Sequence, residues 1–130
     1  MRLLGNFEAI IKQSARRIET ERLIREASDL EDEGKIDAAV KRYTMAARLG
    51  DPIAQSNLGT LLDDVVVPRR PGAAVYWYKR AVKLGHDGAA WNMAMHYRNL
   101  GKRRWYLHWL RVAAEMGDPD AQRALRKVKN

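Results

Sequence analysis

Histidine, aspartate and glutamate are the residues here with the means for acid–base or metal chemistry, and their spacing argues against both. The three histidines, His86, His96 and His108, form no His-x-x-x-His or Glu-x-x-His pair, the spacings that put two metal ligands on one helix face. The carboxylates cluster as Glu31-Asp32-Glu33 and Asp63-Asp64. Paired carboxylates divide into acid and base only when burial separates their pKa values, and these are expected at exposed hairpin corners. There is no cysteine, hence no disulfide, thiolate metal site or cysteine nucleophile. No phosphate-cradling glycine loop and no Gly-x-Ser-x-Gly elbow occurs. The expectation is a chain that is not an enzyme and uses neither metal nor cofactor.

With catalysis set aside, composition bounds the remaining classes. The 130 residues, 46% hydrophobic and 31% charged, fit one ordinary globular domain with a sizeable core. No run of about 18 apolar residues is present, so no integral membrane segment is expected. Glu8 and Lys12 interrupt the apolar start too early for a secretory leader. The cytoplasm is the expected compartment, although a secreted chain whose leader had been removed would share this composition. Charge is uneven: residues 1–65 hold ten Lys/Arg against twelve Asp/Glu, net −2, and residues 66–130 hold fourteen against four, net +10. The second half is therefore suited to an acidic partner.

The chain repeats. Ala46-Ala47-Arg-Leu-Gly50-Asp-Pro-Ile-Ala54-Gln, Ala81-Val82-Lys-Leu-Gly85-His-Asp-Gly-Ala89-Ala and Ala113-Ala114-Glu-Met-Gly117-Asp-Pro-Asp-Ala121-Gln share one pattern. Their glycines lie 35 (85 − 50) and 32 (117 − 85) residues apart, a period typical of helical-hairpin arrays. Glycine after a helix takes up positive φ without a Cβ clash, so each ends a helix. Asp51 and Asp118 then cap the next helix, with Pro52 and Pro119 in its first turn; His86 is a weaker cap. Gly34 and Gly101 end two more helices. Apolar spacing predicts a leading helix from about Asn6, either separate from or continuous with a helix over Glu21–Glu33, and helices over 36–49, 52–64, 73–84, 88–100, 102–116 and 119–129. Val65-Val66-Val67, beside Pro68, reads as a loop. Alanine and glycine at Ala27, Ala54, Gly59, Ala89 and Ala94, facing Ala39, Ala46, Ala74, Ala81 and Ala113, let paired helices approach closely. One hairpin cannot bury its apolar face alone, so the pairs must stack.

This pattern resembles the Sel-one-like repeat family, a relative of the tetratricopeptide repeats. The family's run is Ala-x-x-x-Leu-Gly-x-x-Tyr, a loop with Gly-Val, then Lys-Ala-x-x-Trp-Tyr-x-Lys-Ala-Ala-x-x-Gly. Ala54, Leu58, Gly59, Leu62, Val67, Ala74, Trp77, Tyr78, Arg80, Ala81 and Gly85 stand at those places. Ala89, Met93, Ala94, Tyr97, Tyr106, Trp109, Leu110, Ala113, Ala114 and Gly117 do so in the following unit. The first unit, with Ala39, Tyr43 and Ala46, is more like a plain tetratricopeptide. The likeness covers about residues 21–129. It departs in the loop, where Asp64 and Val66 replace glycines and Arg70 replaces an acidic residue. The resemblance implies an all-α fold: an α-solenoid of about three tandem helical hairpins with a flanking helix at each end. Units are expected at about 21–50, 51–85 and 86–117, with a terminal helix over 118–130 and an amphipathic capping helix over 1–20.

In such arrays the first helix of each pair lines a concave groove. By that alignment Ser56, Thr60, Asp63, Trp91, Met95, Arg98, Arg123 and Lys127 line it, grading from acidic to basic. Trp77 and Trp109 fill the repeat's own tryptophan slot; Trp91 is the aromatic that structure does not already claim, and the competing reading makes it a helix contact. The function implied is a protein-interaction scaffold or adaptor binding a protein or peptide segment. The alternative is a nucleic-acid or other polyanion surface around Arg98, Lys102, Arg103, Arg104, Arg123, Arg126, Lys127 and Lys129. Phe7, Ile10, Ile11, Ala15 and Ile18 make one stripe on the leading helix, with Lys12, Arg16 and Arg17 elsewhere. That stripe is expected to cap the end of the array, self-association or an anionic membrane being the other readings.

Overall fold

A computed structural model describes residues 2–129, with side chains over 4–128, and the chain is helical almost throughout. Helix α1 runs Arg2–Asp32, α2 Ile36–Arg48 and α3 Pro52–Thr60. A π-helical turn, Leu61–Val65, continues α3 directly. Then come α4 Pro71–Lys83, α5 Asp87–Asn99, α6 Arg103–Glu115 and α7 Pro119–Lys129. No strand occurs among the described residues.

Five of the helix stops follow one recipe. Gly34, Gly50, Gly85, Gly101 and Gly117 all have positive φ. The residue after each donates its N–H to the carbonyl five residues back: Lys35 to Leu30, Asp51 to Ala46, His86 to Ala81, Lys102 to Tyr97 and Asp118 to Ala113. This is the bond that closes a glycine-ended helix. Asp51 accepts from the Ala54 N–H at 2.9 Å and Asp118 from Asp120 at 3.3 Å, satisfying donors the helix leaves free. Gln55 donates from Nε2 to the Ala47 carbonyl at 3.1 Å, and Gln122 makes the same bond to Ala114 at the same distance. The two ties recur 67 residues apart (122 − 55) and fix each new helix onto the end of the preceding one. Ala90 holds the corresponding place in the middle unit and supplies no such amide.

Helices α1 with α2, α3 with α4 and α5 with α6 pair as antiparallel hairpins, and each hairpin stacks on the next, α7 closing the series against α6. The pairing is close because the contact residues are small: Ala27, Ala39, Ala46, Ala54, Ala74, Ala81, Ala89, Ala94 and Ala113 are all fully buried. Large side chains sit between them, Leu23, Tyr43, Leu58, Tyr78, Met93 and Leu110. The buried side chains form one cluster over α1–α5 and a second over α5–α7. Trp77 and Trp109 pack half-buried against them.

Two expectations change. The 52–64 helix is not α-helical to its end, because Leu61–Val65 widens into the π turn and Val66 donates back to the Leu61 carbonyl. The stripe on residues 4–18 is left largely uncovered by the other described residues: Leu4, Phe7, Ile10, Ile11 and Ile18 are each more than half exposed, with Ile10 facing the turn Leu49–Pro52 across a cleft.

Gly59 is the tightest point of the α3–α4 hairpin. A Cβ there would lie 2.5 Å from Cε1 of the Tyr78 ring, and Tyr78 is itself buried, so the ring has little room to withdraw. Gly59→Ala is expected to destabilise the chain by about 1–3 kcal/mol through overpacking. The measurement is the urea midpoint at unchanged slope. Adding Tyr78→Leu should recover part of that loss, a non-additivity expected of residues in contact.

Candidate partner-binding groove

Helix α3 touches α5 more closely than α2 touches α4 or α4 touches α6. The closer approach is confined to α3 and α5, the side on which the repeat pattern expects the first helix of each hairpin to line a concave groove. The side chains between α3 and α5 show how the crowding is held. Asn92 on α5 donates from Nδ2 to Ser56 Oγ on α3 at 3.1 Å. His96 Nδ1 lies 2.9 Å from Asp63 Oδ2 in the π turn, with the two side chains 6% and 14% exposed. Thr60 donates to the Ser56 carbonyl at 3.2 Å and accepts from the Tyr78 hydroxyl at 3.2 Å.

These bonds redistribute the expected groove residues. Ser56 is buried and serves as an inter-helix tie, so it does not offer its side chain to a partner. Asp63 likewise is not an exposed corner; its carboxylate is turned inward onto His96. The reason is angular: successive helix residues are about 100° apart, and Ser56 and Asp63 lie one step round from Asn57 and Asp64. Asn57 and Thr60 are half-exposed and Asp64 exposed. The places 35 residues on are Asn92, Met95 and Asn99, the first two half-exposed and the last exposed. Asn57, Asn92 and Asn99 were not singled out by sequence reasoning. The signal that finds them is this 35-residue shift applied to the outward column of α3.

Trp91 occupies on α5 the position that Ser56 occupies on α3. It is half-buried and, with Met95, packs against Ala90, Ala94, Leu110, Ala113 and Ala121. Trp91 is thus both a helix contact and an edge of the groove. Arg98, Arg123 and Lys127 are exposed, and Arg123 pairs with Asp120 one turn earlier on α7. At the opposite end, exposed Glu31 accepts from the Tyr43 hydroxyl at 3.0 Å. A pocket of about 160 Å³ opens at the corner of the groove, lined by Asp63, Asp64, Arg69, Pro71, His96, Asn99 and Leu100. A cleft of about 410 Å³ lies outside the groove, between residues 10–20 of α1 and the turn Leu49–Pro52. Among the described residues no group of three or more His, Asp or Glu side chains is placed to hold a metal ion.

No family model matches the chain, and no curated protein matches it. Among solved structures it is similar to a protective antigen present in uropathogenic Escherichia coli strains that displays an SLR, or Sel-one-like repeat, fold. The two are 27% identical with a TM-score of 0.61, over 70% of this chain and 21% of the antigen. This chain has the Sel-one-like repeat fold. The chain therefore spans about a fifth of the antigen's length, and the Sel-one-like pattern read at Ala54–Gly85 and Ala89–Gly117 coincides with hairpins α3–α4 and α5–α6.

Two phenols are buried at the hairpin contacts, Tyr43 on α2 and Tyr78 on α4. Burial pushes Tyr43 up to about 12, helped by the Glu31 carboxylate that accepts its proton. Burial also pushes Tyr78 up to about 12. A raised phenol favours the neutral form in the folded chain, so its contribution is complete below the ordinary value of 10.0 and is lost as pH rises through the folded value. The melting temperature is expected to fall between pH 10 and 12, and less steeply in Tyr43→Phe and Tyr78→Phe than in wild type. Equal slopes in all three would assign the alkaline loss to other groups.

Proposed function

We propose that this chain is a protein-interaction scaffold that holds an extended partner segment along the concave face of α1, α3, α5 and α7. The observation that carries the reading is the half-exposed pair Trp91 and Met95 on a face otherwise made of amides, hydroxyls and charges. Partly exposed aromatic and methionine side chains at the middle of a polar face are the composition of an interface anchor. Asn57, Asn92 and Asn99 beside them are amides, each with the donor and acceptor that a peptide backbone matches.

Charge supports a direction. Glu31, Asp32 and Asp64 lie toward the α1 end of the face, and Arg98, Arg123 and Lys127 toward the α7 end. A segment with basic residues at its α1 end and acidic residues at its α7 end is complementary, and this complementarity sets orientation more than affinity. A fold of this kind also accommodates many unrelated partners, so the reading rests on these side chains rather than on the fold alone.

The test begins with capture by the purified chain and identification of what stays bound, followed by calorimetry with the captured segment. Trp91→Ala is expected to weaken binding by about 2 kcal/mol or more, with its fold verified by circular dichroism and melting because Trp91 also packs on α5–α7. Arg98→Ala should cost less, and its effect should shrink as salt rises. A folded Trp91→Ala that binds as wild type does overturns the groove. The polyanion alternative is separated by titrating labelled RNA: six or more phosphate contacts imply about a 10³-fold loss between 50 and 200 mM salt.

A further inference from the structure

We infer that the first half of α1 is a docking surface for an anionic lipid bilayer, an activity separate from the groove. Leu4, Phe7, Ile10, Ile11 and Ile18 are between 59% and 72% exposed, along about 21 Å of unbroken helix. The stripe faces away from the array. Nine residues separate Ile18 from Ala27, which is two and a half helical turns at about 3.6 residues per turn, so the two point to opposite sides. Ala27 and Leu23 are buried against the rest of the fold. Farther along α1 the stripe's own side turns polar, with Arg22 and Arg25 exposed. Arg22 is held by Glu19 and Glu26, and Glu26 is held in turn by Arg42 of α2. A preceding repeat stacked there would have to bury that charge network, at a cost its own contacts must repay.

Charge and width choose the occupant. Residues 1–18 carry Arg2, Lys12, Arg16 and Arg17 against Glu8 alone, a net +3 that repels a second copy and is drawn to an anionic surface. From Ile10 to Ala15 the apolar face spreads over about 140° of the circumference, broader than the narrow seam a two-helix coil uses. Arg17 borders it on one side, and Lys12, beyond Glu8, on the other. Their stems can follow the apolar face while the charges reach headgroups. A helix laid flat with that face sunk in the headgroup boundary leaves hairpins α3–α4 and α5–α6 on the far side, clear of the surface.

The probe is flotation of the full chain with vesicles of phosphatidylcholine alone and of equal parts phosphatidylcholine and phosphatidylglycerol. The chain is expected to float with the anionic vesicles, with about a tenfold or greater preference over the neutral ones for Arg17 and Lys12 at the borders of the face. Phe7→Asp and Ile11→Asp should each lower partitioning at least tenfold while melting as wild type, because both side chains are exposed. Trp91→Ala should float unchanged, which separates this surface from the groove. Full chain left unbound by anionic vesicles at low salt overturns the inference. So does Ile11→Asp that floats as wild type, which would assign binding to the basic C-terminal half. A dimer that Ile11→Asp dissociates, with no flotation of wild type, would give the stripe to a second copy instead.

Discussion

The face of the Tyr78 ring rests where a side chain on Gly59 would begin, and this contact sets how near α3 and α4 can lie. The same economy runs through the molecule. Ala39, Ala46, Ala74, Ala81 and Ala113 have no side chain beyond Cβ, and each is fully buried. Hairpins packed this tightly are thin, with an apolar face on both sides, and such a unit is stable only when neighbours cover both faces. The central hairpin, α3–α4, is covered by α2 on one side and α5 on the other. Stacking follows from the small residues at the hairpin contacts.

Curvature needs a second ingredient, because small residues alone bring helices together without choosing which side closes. Ser56 with Asn92 and Asp63 with His96 draw α3 and its π turn against α5. Buried polar pairs are costly unless matched, so these bonds fix register between the two helices as well as distance. The π turn is part of the device: one extra residue per turn rotates Asp63 inward and leaves Asp64 outside. The side chains left on that face, Asn57, Asp64, Met95 and Asn99, are those the two ties do not consume.

Helix ends were legible because they are local chemistry. The glycine stops and the Asp51 and Asp118 caps need only their own neighbours, and the structure has them at the expected residues. The repeat register was legible too, since Ala54, Gly59 and Ala81 recur as Ala89, Ala94 and Ala113, 35, 35 and 32 residues on. The groove was harder. Ser56 and Asn57 differ by about 100° around one helix, and only the neighbour's position decides which faces out. The π turn left its trace in Asp64 and Val66 standing where the resembling repeat has glycines, without saying how the backbone would respond. The N-terminal stripe was plain in Phe7, Ile11 and Ile18. Its direction required carrying the helical phase on to Ala27, across a helix that continues unbroken.

Tight hairpin contacts make one stacked body with α3–α4 at its centre and residues 4–18 outside it. Amide hydrogen exchange of the full chain, resolved helix by helix, tests this directly, because protection follows how much structure must open to expose each amide. Amides of α3 and α4 are expected to exchange last, those of α7 earlier, and those of residues 4–18 first. Exchange of α3 as fast as α7, or protection of residues 4–18 equal to that of α3 in dilute solution, would contradict it.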